Sequence, residues 1–190
     1  MKTVKQIFSR LHIYILCLVL SALFWSWIFS LITDTTAYKK VSVYVDNDTC
    51  QTLELTLELE KDLPQDIRMV KVHTLSYVAF DEGALDYADI FIFPGSGIES
   101  RAQGLEPITD HPIVRGREVL TLDGDVIGIK VYDAATGTGC MKDFIQYAVP
   151  GQEPEDYYMV FPSLSRHLGS LNGSRDDAAF FVAEKMLAMN

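Results

Sequence analysis

Apolar positions are spaced in three different ways along this chain. From Leu11 to Ile32 (LHIYILCLVLSALFWSWIFSLI) they run unbroken, with no formal charge when His12 is neutral. As a helix rising about 1.5 Å per residue, this run spans roughly 33 Å, enough for a hydrocarbon core of about 30 Å. Tyr14, Trp25 and Trp27 lie towards its ends and suit the interfacial belts of a bilayer. Next come short runs with a period of two. In Lys39–Val45 (KKVSVYV), Val41, Val43 and Val45 alternate with polar positions and predict a strand. A third spacing, close to 3.6, closes the chain over Asp176–Met189, where Ala178, Phe181, Val182, Lys185 and Met186 mark one face of a helix. Ser174 with Asp177 three residues on resembles a capping box for that helix.

Between these landmarks the pattern predicts further elements. Asp46-Asn47-Asp48-Thr49 supplies turn chemistry and a helix N-cap. In the following TLELTLELEKDLP, Leu53, Leu55, Leu57 and Leu59 alternate as in a strand. None is β-branched, however, Glu and Lys favour a helix, and Pro64 supplies a stop, so a helix is preferred. Ile67–His73 reads as a second strand with Ile67, Met69 and Lys71 on one face. A turn or short helix through Asp81–Tyr87 leads to Ile90–Phe93, a third strand apolar on both faces, as a central parallel strand requires. Glu118–Leu122, Asp123-Gly124-Asp125 and Val126–Tyr132 form a hairpin pattern with an Asp-Gly turn. Ala134–Gly139 and Val149–Asp156 read as loops, and Tyr157–Phe161 as the last strand. The fold class is therefore α/β: a transmembrane helix, then one small lobe with a mixed, mainly parallel sheet flanked by helices.

Charge sets the expected orientation. Lys2, Lys5 and Arg10 precede the apolar run, whereas Asp34 comes first after it. The positive-inside rule places residues 1–10 in the cytoplasm, 11–32 in the membrane, 33–38 in a linker and 39–190 outside the cell membrane. A cleaved signal peptide has a shorter apolar core of about 7–15 residues, and Thr35-Thr36-Ala37 makes a poor cleavage site, so an uncleaved anchor is preferred over a secreted product. Of the 16 Lys and Arg only those three precede the span, and all 26 acids follow it, leaving the rest at −13. That balance disfavours nucleic acid or an anionic lipid surface as partner. Cys17 lies inside the apolar run, and Cys50 and Cys140 beyond it could pair in an oxidising compartment.

Candidate chemistry begins at Ala88–Arg101 (ADIFIFPGSGIESR), a strand ending in Pro94-Gly95-Ser96-Gly97. The third glycine of a dinucleotide fingerprint is missing, as is the lysine of a phosphate loop, and Pro94 removes a backbone donor. Thr136-Gly137-Thr138-Gly139 offers a second glycine cluster, read as a loop tip or an anion-binding nest. His73, His111 and His167 lack metal-ligand spacing. No cofactor is implied. Cys140, or a serine, with His167 would give a nucleophile–base set for an envelope hydrolase.

The stretches KKVSVYVDNDTCQTLELTLELEKDLP, IRMVKVHTLSY, ADIFIFPGSGIE and LEPI resemble the first lobe of type 2 periplasmic or extracellular solute-binding proteins. The ending, Tyr157–Phe161 and then Ser165-Arg166-His167-Leu168-Gly169 before a closing helix, is similar to small membrane-anchored Firmicutes proteins built on that lobe. The resemblance covers about two thirds of the chain and implies a non-enzymatic module that binds a small molecule or an envelope protein partner. Residues 98–157 leave no room for the second lobe that closes the clamshell in such proteins. The carboxyl ends of the strands are then the expected contact surface: Asp46, Asn47 and Thr49, Ser76 and Tyr77, and Gly95, Ser96 and Gly97, with Thr138 and His167 as further candidates.

Overall fold

A computed structural model describes residues 11–33, 35–75, 88–145 and 153–189. The chain divides into two compact units, Met1–Thr36 and Ala37–Asn190. The first contains helix α1 (Leu11–Thr33), whose stretch Leu11–Ser30 is long and apolar enough to cross a membrane; such a helix also fits a signal sequence. Its described side chains are exposed nearly all round, Leu18 at 71% and Phe29 at 69%.

The second unit is built on one six-stranded sheet. Its strands are β1 (Lys40–Val45), β2 (Met69–Thr74), β3 (Ile90–Pro94), β4 (Val119–Leu122), β5 (Asp125–Tyr132) and β6 (Tyr157–Val160), in the spatial order β2-β1-β3-β6-β5-β4. β1 pairs in parallel with β2 and β3; the other three pairings are antiparallel. The expectation of a mainly parallel sheet is thus corrected. Once β6 enters beside β3 in the opposite sense, hairpin geometry governs the remaining half. That hairpin forms as the Asp-Gly pair predicts: Asp123 and Gly124 both take positive φ (52° and 99°), the two-residue turn that matches strand twist.

Thr52–Leu59 is a helix (α2), which resolves the ambiguous leucine run. Leu55 and Leu59, one turn apart, are buried, while Leu53 and Leu57 are exposed. The closing helix α3 (Ala178–Leu187) buries Ala178, Ala179, Phe180, Val182, Ala183 and Met186. Ala178, Val182 and Met186 of the expected stripe are buried, but the face is rotated towards Phe180, which is in the core, while Phe181 is 39% exposed. The capping box does not form either. Asp177 makes no side-chain cap, and Ser174 Oγ instead accepts from Leu168 N at 2.8 Å. At α2 the cap is likewise not Asp48 or Thr49 but Gln51. Asn47 closes a local turn, its Oδ1 accepting from Thr49 N at 2.9 Å.

Alternation along the strands sorts the core into two layers. Val41, Val43, Val45, Ile90, Ile92, Ile129, Met159 and Phe161 pack with α2 and α3 on one face. Phe91, Phe93, Ile127 and Val160 join Ile98, Leu105 and Leu75 on the other. β3 feeds both layers, which explains its uninterrupted apolar sequence. Cys50 and Cys140 are buried free thiols in the first layer, unpaired with each other. The Phe161 ring lies 4.7 Å from that of Phe180, tilted by 41°, and joins the end of β6 to α3. Phe161→Ala should therefore cost about 3–5 kcal/mol, read as a lower urea midpoint at unchanged slope; a loss below about 1 kcal/mol would show that this contact does not hold the helix to the sheet.

Candidate functional site

The carboxyl ends of β1 and β3 come together as the sequence suggests. Asp46 Oδ2 lies 3.7 Å from Arg101 Nη2, and Arg101 Nη1 donates to Gly97 O at 2.8 Å. Asn47 Nδ2 donates to the Tyr157 hydroxyl at 3.0 Å. Thr49 contributes its backbone N–H and its hydroxyl to Asn47. Gly95–Ile98 forms a single helical turn after Pro94. Its first donors are taken by the chain itself: Gly95 N by Asp156 O at 2.9 Å, and Ser96 N by the Glu155 carboxylate at 3.4 Å. A carboxylate therefore already stands where a phosphate would have to sit. Burial raises the Asp46 pKa, opposed by Arg101. Ser76 and Tyr77 lie outside the described residues, as does the Asp81–Tyr87 segment.

Thr138 stands on a neighbouring loop. Its carbonyl accepts from Asp133 N at 2.8 Å, and its hydroxyl lies 2.7 Å from that of Thr136. Beside it, Lys130 Nζ bridges Asp156 (2.8 Å), Glu118 (2.5 Å) and Asp133 (3.4 Å). The hydrogen bond that Lys130 donates to Asp156, then the one to Glu118, raises its pKa. Gly139 has φ +125° and no space for a side chain against Val131 and Tyr132, so its place in the cluster follows from backbone packing.

His167 does not join this rim. It lies at the opposite, amino end of the parallel strands, fully buried. Nδ1 is 2.5 Å from Asp176 Oδ1 and Nε2 is 3.1 Å from Ala37 O. Asp176 and the Ala37 carbonyl are acceptors, an arrangement that favours the doubly protonated ring. Burial opposes that charge, but Asp89, Asp176 and the Ala37 carbonyl outweigh it and raise the pKa above 6.5. Asp89, 5% exposed, is the counter-charge. It accepts from Ser42 N and from Ser165 Oγ, each at 2.8 Å, and the Ser165 hydroxyl in turn accepts from His167 N at 3.2 Å. Burial raises the Asp89 pKa against the opposing pull of His167 and these donors.

Among the described residues, His167 is not placed as a base for Cys140 or for a serine. The Ser165 hydroxyl is turned to Asp89, and both imidazole nitrogens are taken. Cys140 donates weakly to Val131 O at 3.6 Å, and burial pushes its thiol up to about 12. His111 stands elsewhere, stacked on Phe180. No group of three His, Cys, Asp or Glu among the described residues is placed to hold a metal ion.

Above Asp89, on the sheet face away from α2 and α3, lies a cavity of about 230 Å³. Lys40, Ser42 and Tyr44 of β1 line it, with His73 of β2, Asp89, and Arg166. Tyr44 and His73 are register partners whose rings lie 5.0 Å apart. Arg166 leans over the Tyr38 ring at 5.5 Å. The signal for this wall is in KKVSVYV: turning the valines inward commits Lys40, Ser42 and Tyr44 to the other face. No protein-family model and no curated protein matches the chain.

Because the His167 pKa is raised in the folded state, its stabilising contribution is complete below pH 6.5 and is lost as pH rises through the folded value. The melting temperature of the wild type should exceed that of His167→Gln most at about pH 6, with the gap closing towards about pH 9. A gap that stays constant across that range would contradict a charged ring.

Proposed function

We propose that this chain is a membrane-anchored extracytoplasmic module that binds a small solute or an envelope protein, as an accessory to a transporter or envelope complex. The observation that carries this reading is the cavity over β1, with Lys40, His73 and Arg166 around a hydroxyl-lined wall. Asp89 lies in the floor with His167 beside it, and Lys40 and Arg166 bring cationic side chains to the lining. A small solute bearing a carboxylate or phosphate suits it better than an apolar one. The volume is below the usual range for drug-sized ligands, about 300–1,000 Å³, which fits a metabolite of a few heavy atoms beyond its acidic group.

The solute-binding resemblance is supported by the strand–helix–strand order of β1, α2 and β2 and by the parallel placement of β3, but the antiparallel half departs from such a lobe. A non-enzymatic role fits the commitment of His167, Ser165 and Cys140 to structural hydrogen bonds. The apolar α1 supports anchoring, and the cations before it support a cytoplasmic N-terminus.

Two measurements test these proposals. For the full chain in detergent micelles, pools of carboxylate and phosphate-bearing metabolites should raise the melting temperature. Arg166→Ala should weaken the active compound ten-fold or more; if no pool has an effect, the solute reading falls. For topology, Asp110→Cys places a thiol on an exposed turn while Cys50 and Cys140 stay buried. A membrane-impermeant maleimide should label this variant in intact cells, and labelling only after lysis would overturn the extracytoplasmic placement.

A further inference from the structure

The rotation of α3 that puts Phe180 in the core leaves Phe181 on the surface, where it forms one wall of a groove of about 380 Å³. The other wall is the loop between α2 and β2, with Leu63, Pro64 and Ile67. Ala178 is also in the lining. This apolar groove is separate from the cavity over β1, with which it shares no residue.

Its charged lining is of one sign. Asp62 and Asp66 come from the loop, and Asp176 and Asp177 from the start of α3, with no lysine or arginine in the lining. The helix N-terminus accounts for Asp176, whose Oδ1 accepts from Ala178 N at 3.2 Å and also binds His167. It does not account for Asp62 and Asp66 across the groove, nor for an aromatic ring left in water. Asp62 is held at φ 54°, a backbone state that Asp and Asn tolerate, so Asp62→Asn removes the charge and keeps the conformation. Leu53 and Leu57 on α2, which packs beside α3, are 71% and 57% exposed.

We propose that this groove docks a segment of a partner protein in which an apolar side chain is flanked by lysine or arginine. The apolar side chain packs against Phe181, Leu63 and Ile67, and the flanking cations meet Asp62, Asp66 and Asp177. This rests on the interaction-module reading but not on its solute arm. Charge complementarity selects this occupant: an acidic chain of net charge −10 repels its own copies and attracts a basic segment.

The test uses the full chain in neutral phosphatidylcholine nanodiscs and three synthetic ten-residue peptides, of lysine with leucine, lysine with serine, and glutamate with leucine. Anisotropy should show binding of the lysine–leucine peptide alone, weakening as salt is raised. Phe181→Ser and the pair Asp62→Asn/Asp66→Asn should each reduce affinity at least ten-fold with unchanged melting temperature. Neutralising two exposed acids outside the groove, Glu99→Gln/Asp110→Asn, should change it less than two-fold. Equal binding of the lysine–serine peptide, or equal loss with the outside pair, would reduce the effect to general charge attraction and overturn the proposal. Self-association of the chain abolished by Phe181→Ser would overturn it in favour of a second copy. Failure of the solute pools with peptide binding intact would fault the cavity reading alone. The reverse result would fault the groove alone.

Discussion

The unit from Ala37 onward is organised around a charge that cannot be left alone. A buried carboxylate is tolerated only where donors and a counter-charge surround it. Asp89 meets that requirement by drawing on β1 through Ser42 N, on the segment after β6 through Ser165, and on the His167 imidazolium. His167 extends the reach to Ala37 and to Asp176, just before α3. Removing any one partner leaves a charge uncompensated, so these distant segments of chain are held to a single arrangement. The same network shapes the cavity floor, since Ser42 and Asp89 face both the interior and the lining.

Much of this was legible in the sequence, for reasons that differ by element. β1 and β3 were readable because alternation and unbroken apolarity have one explanation each in a buried sheet. The Asp-Gly turn was readable because few residue pairs accept two positive φ angles. The strand order was not. Whether β6 enters parallel or antiparallel beside β3 depends on long connections, and Tyr157–Val160 carries no mark of direction. Phe180 and Phe181 are equally apolar, so the rotation of α3 was decided by packing against Phe161 and not by the pattern. The Asp89–His167 pair escaped notice because 78 positions separate residues that only the closed sheet brings together.

The two faces of the sheet have different tasks. The face under α2 and α3 is a continuous aliphatic layer and carries the burial that offsets chain entropy. The opposite face has a smaller aromatic cluster around Phe91 and Phe93, and on β1 it gives way to Lys40, Ser42 and Tyr44. A sheet can present polar chemistry on one side only when the other side suffices for stability. Here the division runs along β1 itself, whose odd-numbered residues build the core and whose even-numbered ones line the cavity.

The placement of Ala37 also has a mechanical meaning. The chain enters the folded unit at that residue, held by His167, and passes through one 3-10 turn (Ala37–Lys39) into β1, which is flanked by parallel β2 and β3. Any pull transmitted from the preceding residues therefore acts along the axis of an inner strand. To release that strand, its backbone hydrogen bonds to both neighbours must be sheared together, where an edge strand could be peeled away one bond at a time. Entry through β1 sets such a pull against two parallel ladders at once, with the Ala37–His167 contact as the first link to break.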